Sequence, residues 1–289
     1  MQITIRNLWK TYGKEFHALQ DVNLDIGNGM FGLLGPNGAG KSTLMKILAT
    51  LEMPSRGQVL VDDVDINRKR KEIRRTLGYL PQFFGVYPQL TGTEFLRYIG
   101  ELNGVPRRQL RETVQDALQQ VALGDVGDRK VKTYSGGMVR RLGIAQALIG
   151  NPALLIVDEP TVGLDPAERI RFRNLLADIS REKVIILSTH IVGDISSTCE
   201  DLALLSRGQV VFRGNPADLV DQTRDHVWSA TCTDDEFLKI AADMQVISSI
   251  AGEHRRILRV VGDPVDGIEM TPESPNLEDA YMYLTKGEQ

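Results

Sequence analysis

The 289-residue chain is long enough for one large domain or two modest ones, and its 42% hydrophobic and 25% charged residues are typical of globular proteins. Its 34 basic and 38 acidic residues give a net charge of −4. This balance argues against a nucleic-acid partner, because proteins that bind nucleic acids concentrate positive charge to neutralise phosphates.

The sequence predicts neither a disulfide framework nor a membrane span. Cys199 and Cys232 lie far apart and show no CxxC spacing, so we expect two reduced thiols. No uninterrupted apolar run approaches the roughly 18 residues that cross a bilayer. The first ten residues alternate apolar and polar side chains and lack the apolar core of a signal peptide. We therefore expect a first strand there and a chain that stays in the cytosol.

Short apolar runs alternate with longer amphipathic stretches, which indicates an α/β fold with βα units around a largely parallel sheet. We expect the first two strands, the fourth and the last two to be antiparallel additions. The predicted strands are Ile3–Leu8, Val22–Ile26, Met30–Leu34, Gln58–Val61, Thr76–Leu80, Leu154–Asp158, Val184–Ser188, Leu202–Leu205 and Gln209–Phe212.

The pattern becomes almost purely helical between about residues 88 and 150, which predicts a helical insertion within a first domain of residues 1–219. Its predicted helices are Thr91–Leu102, Pro106–Val121 and Gly137–Ile149. Beyond residue 219 the motifs become sparse. There we expect a small α+β domain, residues 220–289, that closes with the amphipathic helix Leu277–Leu284.

A glycine-rich loop follows the third strand and precedes a predicted helix, Leu44–Leu51, which is the setting of a phosphate-binding P-loop. Backbone N–H groups and the start of the helix bind phosphate oxygens, Lys41 supplies a mobile cation, and Ser42 offers a hydroxyl to Mg²⁺. The sequence therefore predicts a site for ATP and Mg²⁺. The expected loop contacts are Gly35, Asn37, Gly38, Ala39, Gly40, Lys41, Ser42 and Thr43.

Two buried strands carry polar residues at their carboxyl ends, where ligands bind in open α/β sheets. The first ends in Asp158 and Glu159. We expect Asp158 to hold Mg²⁺ and Glu159 to act as the general base that polarises the attacking water. The second leads to His190, whose position favours a contact with the γ-phosphate over a purely structural role.

A second anion-binding cradle is predicted at Ser135, Gly136 and Gly137, which open a helix. Taken alone, this stretch reads as an ordinary capped helix start. Beside a P-loop and a single Mg²⁺ site, however, two cradles are useful only if one serves the nucleotide of another copy. The pattern thus favours a dimer.

Together these motifs resemble the ATP-binding-cassette ATPases, and among them the separately encoded subunits that pair with ABC-2-type export permeases. The likeness spans roughly residues 1–215, with a weaker match in the tail at residues 275–281. It implies a P-loop cassette with a mixed central sheet, an antiparallel β subdomain and a helical insertion. Tyr134 and Met138 replace the ends of the family's common LSGGQ signature, while its central SGG is kept.

The resemblance assigns further roles residue by residue. Tyr12 matches the aromatic residue that stacks on adenine, and Gln82 matches the glutamine that touches Mg²⁺ and senses the membrane partner. Ser135–Gly137 match the signature that closes over the partner subunit's γ-phosphate. Asp165 matches the loop that crosses the dimer interface, and His190 matches the switch histidine.

Two surface segments have the composition of a binding surface. Phe83, Phe84 and Tyr87 follow Gln82 in a loop, and they suit either a docking surface or local packing; the resemblance favours docking. For the basic run at residues 68–75, the pattern favours a solvated helix face over a binding site for lipid or nucleic acid.

The resulting hypothesis is an ATPase that works as a head-to-tail homodimer at the cytoplasmic face of the cell membrane, bound to permease subunits. One alternative is a soluble cassette protein that acts on ribosomes or DNA, but the chain has one cassette and no long coiled-coil insertion. The other is a regulator without turnover, which Glu159 opposes.

Overall fold

The computed structural model describes residues 1–252 and 255–286, so the parts of the predicted tail domain at residues 253–254 and 287–289 lie outside the described residues. The strands are β1 (Ile3–Tyr12), β2 (Phe16–Ile26), β3 (Gly29–Leu34), β4 (Arg56–Val61), β5 (Val64–Asp65), β6 (Leu77–Leu80), β7 (Leu154–Asp158), β8 (Val184–Thr189), β9 (Asp201–Ser206), β10 (Gln209–Gly214), β11 (Val227–Cys232), β12 (Gln245–Ala251), β13 (Arg256–Val261) and β14 (Met270–Pro272). The helices are α1 (Lys41–Leu48), α2 (Arg70–Arg75), α3 (Gly92–Leu102), α4 (Arg107–Gln120), α5 (Gly136–Leu148), α6 (Pro166–Ser180), α7 (Val192–Ser196), α8 (Pro216–Asp221), α9 (Asp234–Asp243) and α10 (Leu277–Leu284).

The central sheet has the strand order β10-β9-β3-β8-β7-β6. The strands β9, β3, β8, β7 and β6 are parallel, and β10 is antiparallel to β9. The α/β prediction is confirmed, but the expectation that both of the last two strands are antiparallel was wrong. Helix α7 lies between β8 and β9 in the chain, and such a crossover lets β9 run in the same direction as β3. Only the tight return into β10 reverses direction.

A separate antiparallel sheet, in the order β2-β1-β4-β5, contains the first, second and fourth strands as predicted. Ile5 and Leu24 from this sheet share one core with Leu44 of α1 and with Phe31 and Ile156 of the central sheet. Helix α1 is therefore packed against both sheets, which holds the loop before it in place. It begins at Lys41, three residues earlier than predicted.

The helical insertion packs on the central sheet through a second core, which includes Phe95 of α3, Leu118 of α4, Leu142 of α5 and Leu155 of β7. Helix α3 starts at a capping box in which the Thr91 side chain accepts from the Glu94 N–H. The predicted helices of this segment are confirmed to within a residue or two. Helix α6 was not predicted. Only Phe172 and Leu176 are buried along it, so its apolar periodicity is weak.

The tail contains a sheet in the order β12-β13-β11-β14 and the helices α9 and α10, with the last helix at the predicted bounds. Ala230, Ile240 and Leu258 belong to a core of its own. Helix α10, in contrast, contributes Leu277 and Ala280 to the core beneath the helical insertion. Among the described residues, no helix combines the length and apolarity needed to cross a membrane.

We predict that Asp279→Ala lowers the free energy of unfolding by about 3 kcal/mol, because it breaks an ion pair whose carboxylate is fully buried and removes part of a helix cap. Asp279 is fully buried, completes the capping box of α10 by accepting from the Asn276 N–H, and accepts from Arg259 at 2.6 Å. The measurement is urea unfolding followed by circular dichroism. Asp178→Ala is the control, since its pair with Arg181 is exposed and its loss should cost less than about 0.5 kcal/mol. Equal effects of the two variants would contradict the role of Asp279.

Candidate active site

The register of the parallel strands brings the predicted site residues to one edge of the central sheet. Leu34 pairs with Thr189, Asp158 with Ser188, and Leu80 with Val157. The segments that follow β3, β6, β7 and β8 therefore leave the sheet side by side. These are the P-loop, the residues around Gln82, the Asp158–Glu159 pair and His190.

The P-loop is shaped by glycines that approach other backbone groups closely. A Cβ atom at Gly35 would lie 2.2 Å from the carbonyl oxygen of Leu205, and one at Gly40 would lie 2.4 Å from that of Ala18. Gly40 also has a φ of 104°, which L side chains rarely adopt. Gly38, in contrast, faces open space. The loop is thus fixed at both ends and open at its tip, where a phosphate can approach the N-terminus of α1.

Lys41 is almost fully buried and occupies the centre of the site. Its ammonium group donates to the carbonyl oxygens of Gly35 at 2.7 Å and Pro36 at 3.0 Å. It also forms an ion pair with the Glu159 carboxylate, with Nζ 3.2 Å from Oε1. Because buried charges must be paired, the carboxylate and the two carbonyl oxygens stabilise the buried ammonium group. A phosphate that enters the loop would compete with them for Lys41.

Asp158 gathers two hydroxyl groups around one carboxylate oxygen. Its Oδ1 accepts from Ser42 at 3.3 Å and also from Ser188. The neighbouring Tyr79 is half-buried, and burial together with the charge of Asp158 raises the pKa of its phenol to about 12. The phenol therefore stays neutral beside a carboxylate. The oxygen atoms of Ser42 and Asp158 are of the kind that Mg²⁺ prefers.

Glu159 leaves the sheet with a φ of 49°, which is uncommon for a residue other than glycine. Its N–H nevertheless bonds to the Ser188 carbonyl at 3.0 Å and lies 3.3 Å from the Ser188 hydroxyl. Such strained backbone persists where the surrounding structure holds it, and it clusters at functional sites. The turn places the Glu159 carboxylate between Lys41 and His190.

His190 contacts the other oxygen of the same carboxylate, with Nδ1 2.8 Å from Glu159 Oε2. The histidine side chain is about one-third exposed, whereas Glu159 is buried. Lys41, Glu159 and His190 thus form one chain of polar contacts across three strand ends. The sequence placed these residues at one edge but did not predict that the carboxylate joins the other two.

Tyr12 is linked to the P-loop helix through its hydroxyl. The hydroxyl donates to Glu52 at 2.5 Å and interacts with Thr43. Burial, followed by the hydrogen bond to Glu52, raises the pKa of this phenol. Phe16 stacks beside the ring with a centroid distance of 6.4 Å and an interplanar angle of 25°. The aromatic surface at this end of the P-loop is therefore larger than the single tyrosine that was predicted.

Gln82 is half-buried next to β6, and its carbonyl oxygen accepts from Arg140 of α5 at 2.6 Å. Phe84 packs against the same helix, because a Cβ atom at Gly143 would lie 2.6 Å from its ring. The loop after Gln82 is thus bound to the helix that starts at the second predicted cradle.

That second cradle stands apart from the P-loop. The Ser135 side chain accepts from the Met138 N–H at 3.2 Å, Ser135 and Gly136 are exposed, and Gly137 lies against Glu168 of α6. Within residues 1–252 and 255–286, no hydrogen bond or ion pair joins residues 135–137 to residues 35–43. Asp165 caps α6 by accepting from the Glu168 N–H and is also exposed.

The structure therefore assembles most of the predicted residues into one site and leaves Ser135, Gly136 and Asp165 exposed elsewhere, with Gly137 buried against α6. Sequence reasoning missed Glu52, Phe16, Arg140 and the bond between Thr161 and Asp194. Phe16 is near Tyr12 in the chain, but Lys14 lies between them, so no alternating apolar pattern indicates Phe16. The other contacts join residues distant in the chain, so no local signal could have indicated them.

Comparisons with known proteins agree with this geometry. The family model described as ABC transporter matches residues 19–162, from β2 through the P-loop to the residues after Glu159. The chain is 32% identical to Nod factor export ATP-binding protein I of Bradyrhizobium sp. (strain SNU001), over 99% of this chain and 96% of that protein. It is 34% identical to the ABC transporter ATP-binding protein NatA of Bacillus subtilis (strain 168), over 73% and 87%.

Solved structures show the same fold. A dimeric ATP-binding cassette in a post-hydrolysis state, bound to ADP and Pi, has a TM-score of 0.66 at 27% identity and covers 74% of this chain and 98% of its own. The cbiO1 protein of Clostridium perfringens, part of the ABC transporter complex cbiONQ, has a TM-score of 0.69 at 28% identity, with coverages of 76% and 90%. The chain therefore belongs to the ABC transporter family, as one of its ATP-binding, ATP-hydrolysing subunits.

Proposed function

We propose that two copies of this chain bind two ATP molecules head to tail and power a separately encoded permease of the ABC-2 export type. The observation that carries the proposal is the division of the site. Lys41 and His190 both contact Glu159, whereas Ser135 and Gly136 are exposed elsewhere on the same chain. A second copy supplies the missing cradle. The dimeric relative bound to ADP and Pi and the relatives named for Nod factor export support this reading.

In the proposed complex the ATP phosphates lie in the loop Gly35–Thr43, and adenine stacks on Tyr12 with Phe16 beside it. The Ser42 hydroxyl and the Asp158 carboxylate, 3.3 Å apart, suit a hard cation, so they would hold Mg²⁺, with Gln82 as a further oxygen ligand. Mg²⁺ would supply neutralising charge to the phosphates.

The contacts of Lys41 suggest how ATP prepares the base. In the structure, Lys41 bonds to one oxygen of Glu159 and to the loop carbonyls. The phosphates compete for the ammonium group and release that oxygen. Glu159 then accepts a proton from water as the water oxygen attacks the γ-phosphorus, and the bond to the bridging oxygen of ADP breaks. His190 holds the other oxygen of Glu159 and borders the γ-phosphate.

Ser135, Gly136 and Gly137 are proposed to bind the γ-phosphate of the partner's ATP. The first N–H groups of α5 are available there, as at other anion-binding helix starts. Asp165, at the start of α6, is proposed to cross the interface beside this contact.

The docking surface for the permease is proposed at Phe83 and Tyr87. Phe83 is 83% exposed and Tyr87 is 54% exposed, while Tyr87 packs edge-on against Tyr98 of α3 at 5.8 Å. An exposed apolar surface of this kind suits a protein partner. Such a partner would hold the chain at the cytoplasmic face of the membrane.

We also propose that residues 1–219 form the catalytic domain and residues 220–289 an accessory domain without contact to ATP. The separate core of the tail sheet supports the division. The packing of α10 on α7 and α8 gives the tail a route to stabilise the segment after His190.

We predict that Glu159→Gln lowers ATP turnover by roughly 10²- to 10⁴-fold, as expected for loss of a general base. ATP binding should be retained or tightened, because the phosphates no longer compete with a charged carboxylate for Lys41. An ATP-bound dimer should then accumulate. Steady-state phosphate release and light scattering after gel filtration measure both effects. The control is Glu182→Gln, an exposed residue outside the site. Turnover of Glu159→Gln at the wild-type rate would require another base.

We further predict that Phe83→Asp reduces recovery of the chain with an integral membrane protein from detergent-solubilised membranes, while the basal ATPase rate is unchanged. A carboxylate on this apolar surface would have to lose its water on docking. Leu238→Asp, at a residue that is 67% exposed in the tail, is the matched control. Recovery of the wild-type chain only with ribosomes or the nucleoid would contradict the transporter function in favour of the soluble alternative.

A further inference from the structure

A second buried contact joins the two segments that carry Glu159 and His190. The Thr161 hydroxyl donates to the carboxylate of Asp194 through Oδ2. Both residues are buried, with exposures of 1% and 0%. Within the described part of the chain, the other carboxylate oxygen, Oδ1, is buried without a hydrogen-bond partner. A half-satisfied buried carboxylate is costly, so its presence at this position needs an explanation.

The position of this contact suggests the explanation. Thr161 lies two residues after Glu159, at the start of the segment that leads to Asp165. Asp194 lies four residues after His190, in the short helix α7. The bond between Thr161 and Asp194 therefore runs alongside the contact between Glu159 and His190.

Two further contacts fix α7. Arg173 of α6 donates to the Gly193 carbonyl at 2.6 Å. On the opposite side, Ile195 packs on the backbone of β3, where a Cβ atom at Gly32 would lie 2.5 Å from its Cδ1. Helix α7 is thus attached both to the central sheet and to α6, whose N-cap is Asp165.

We propose that Asp194 is a positioning residue that sets the distance between the Glu159 and His190 segments and links residues 161–165 to the histidine. The inference rests on the proposed function, in which residues around Asp165 meet the second copy. Dimer closure then moves Thr161, and the charge-assisted bond to Asp194 carries this movement to α7 and His190. The second copy thereby adjusts the position of His190 against the Glu159 carboxylate.

The test compares two replacements of Thr161. Thr161→Val removes the hydroxyl and keeps the shape, whereas Thr161→Ser keeps the hydroxyl. We expect Thr161→Val to lower kcat at least tenfold while the Kd for ATP changes less than twofold, and Thr161→Ser to recover at least half of the wild-type kcat. Thr161→Ala is the substitute if the valine variant does not fold.

Thr223→Val is the matched control, since Thr223 is also fully buried and, among the described residues, its hydroxyl bonds only to the Val220 carbonyl, away from the site. It should reduce stability but not kcat. A loss of kcat in the control equal to that in Thr161→Val would overturn the proposal.

A readout independent of activity is the imidazole ¹⁵N resonance of His190, identified by its absence in His190→Gln. The chain has four histidines, so the spectrum is simple. Thr161→Val should shift the His190 resonance and leave those of His17 and His226 in place, and Thr161→Ser should restore it. An unshifted His190 resonance, or a wild-type kcat in Thr161→Val, would overturn the positioning role while the proposed function stands. Absence of hydrolysis by the wild-type chain would overturn both.

Discussion

The arrangement of the site depends on one carboxylate. Glu159 is buried at the end of β7, and its two oxygens are taken by Lys41 from the P-loop and by His190 from the end of β8. A buried charge needs partners of opposite charge or hydrogen-bond donors, and here each partner comes from a different strand end. The same requirement accounts for the left-handed backbone at Glu159, which turns the side chain from the strand toward both of them.

The proposed function divides each site between two copies. The groups proposed to hold phosphate and to accept a proton lie at one edge of the central sheet, while Ser135 and Gly136 are exposed at the start of α5. Between these surfaces lie contacts that can transmit movement. Arg140 joins α5 to the loop after Gln82, and Asp194 joins α7 to Thr161. In the proposed complex, these side chains would connect the nucleotide, the second copy and the membrane partner.

Much of this could be predicted from the sequence, because the information is local. Unbroken apolar runs that end in acids predict parallel strands with a site at their carboxyl ends, and the P-loop motif identifies the phosphate site. The direction of β9 could not be predicted, because a buried apolar run is compatible with either a parallel or an antiparallel strand. Helix α6 was missed because its buried face is narrow. The bond between Glu159 and Lys41 joins residues more than 100 positions apart, so only the folded chain reveals it.

The central claim, that each site is built from two copies, is tested most directly by mixing two inactive variants. Lys41→Ala disables the P-loop, and Gly136→Asp places a negative charge in the second cradle, where a side chain meets no other atom. In a mixed head-to-tail dimer, one site combines an intact P-loop with an intact cradle. Mixtures refolded or expressed together should therefore recover about a quarter of the wild-type ATPase rate, because half of the dimers are mixed and each holds one good site. A mixture no more active than its separate components would contradict the account.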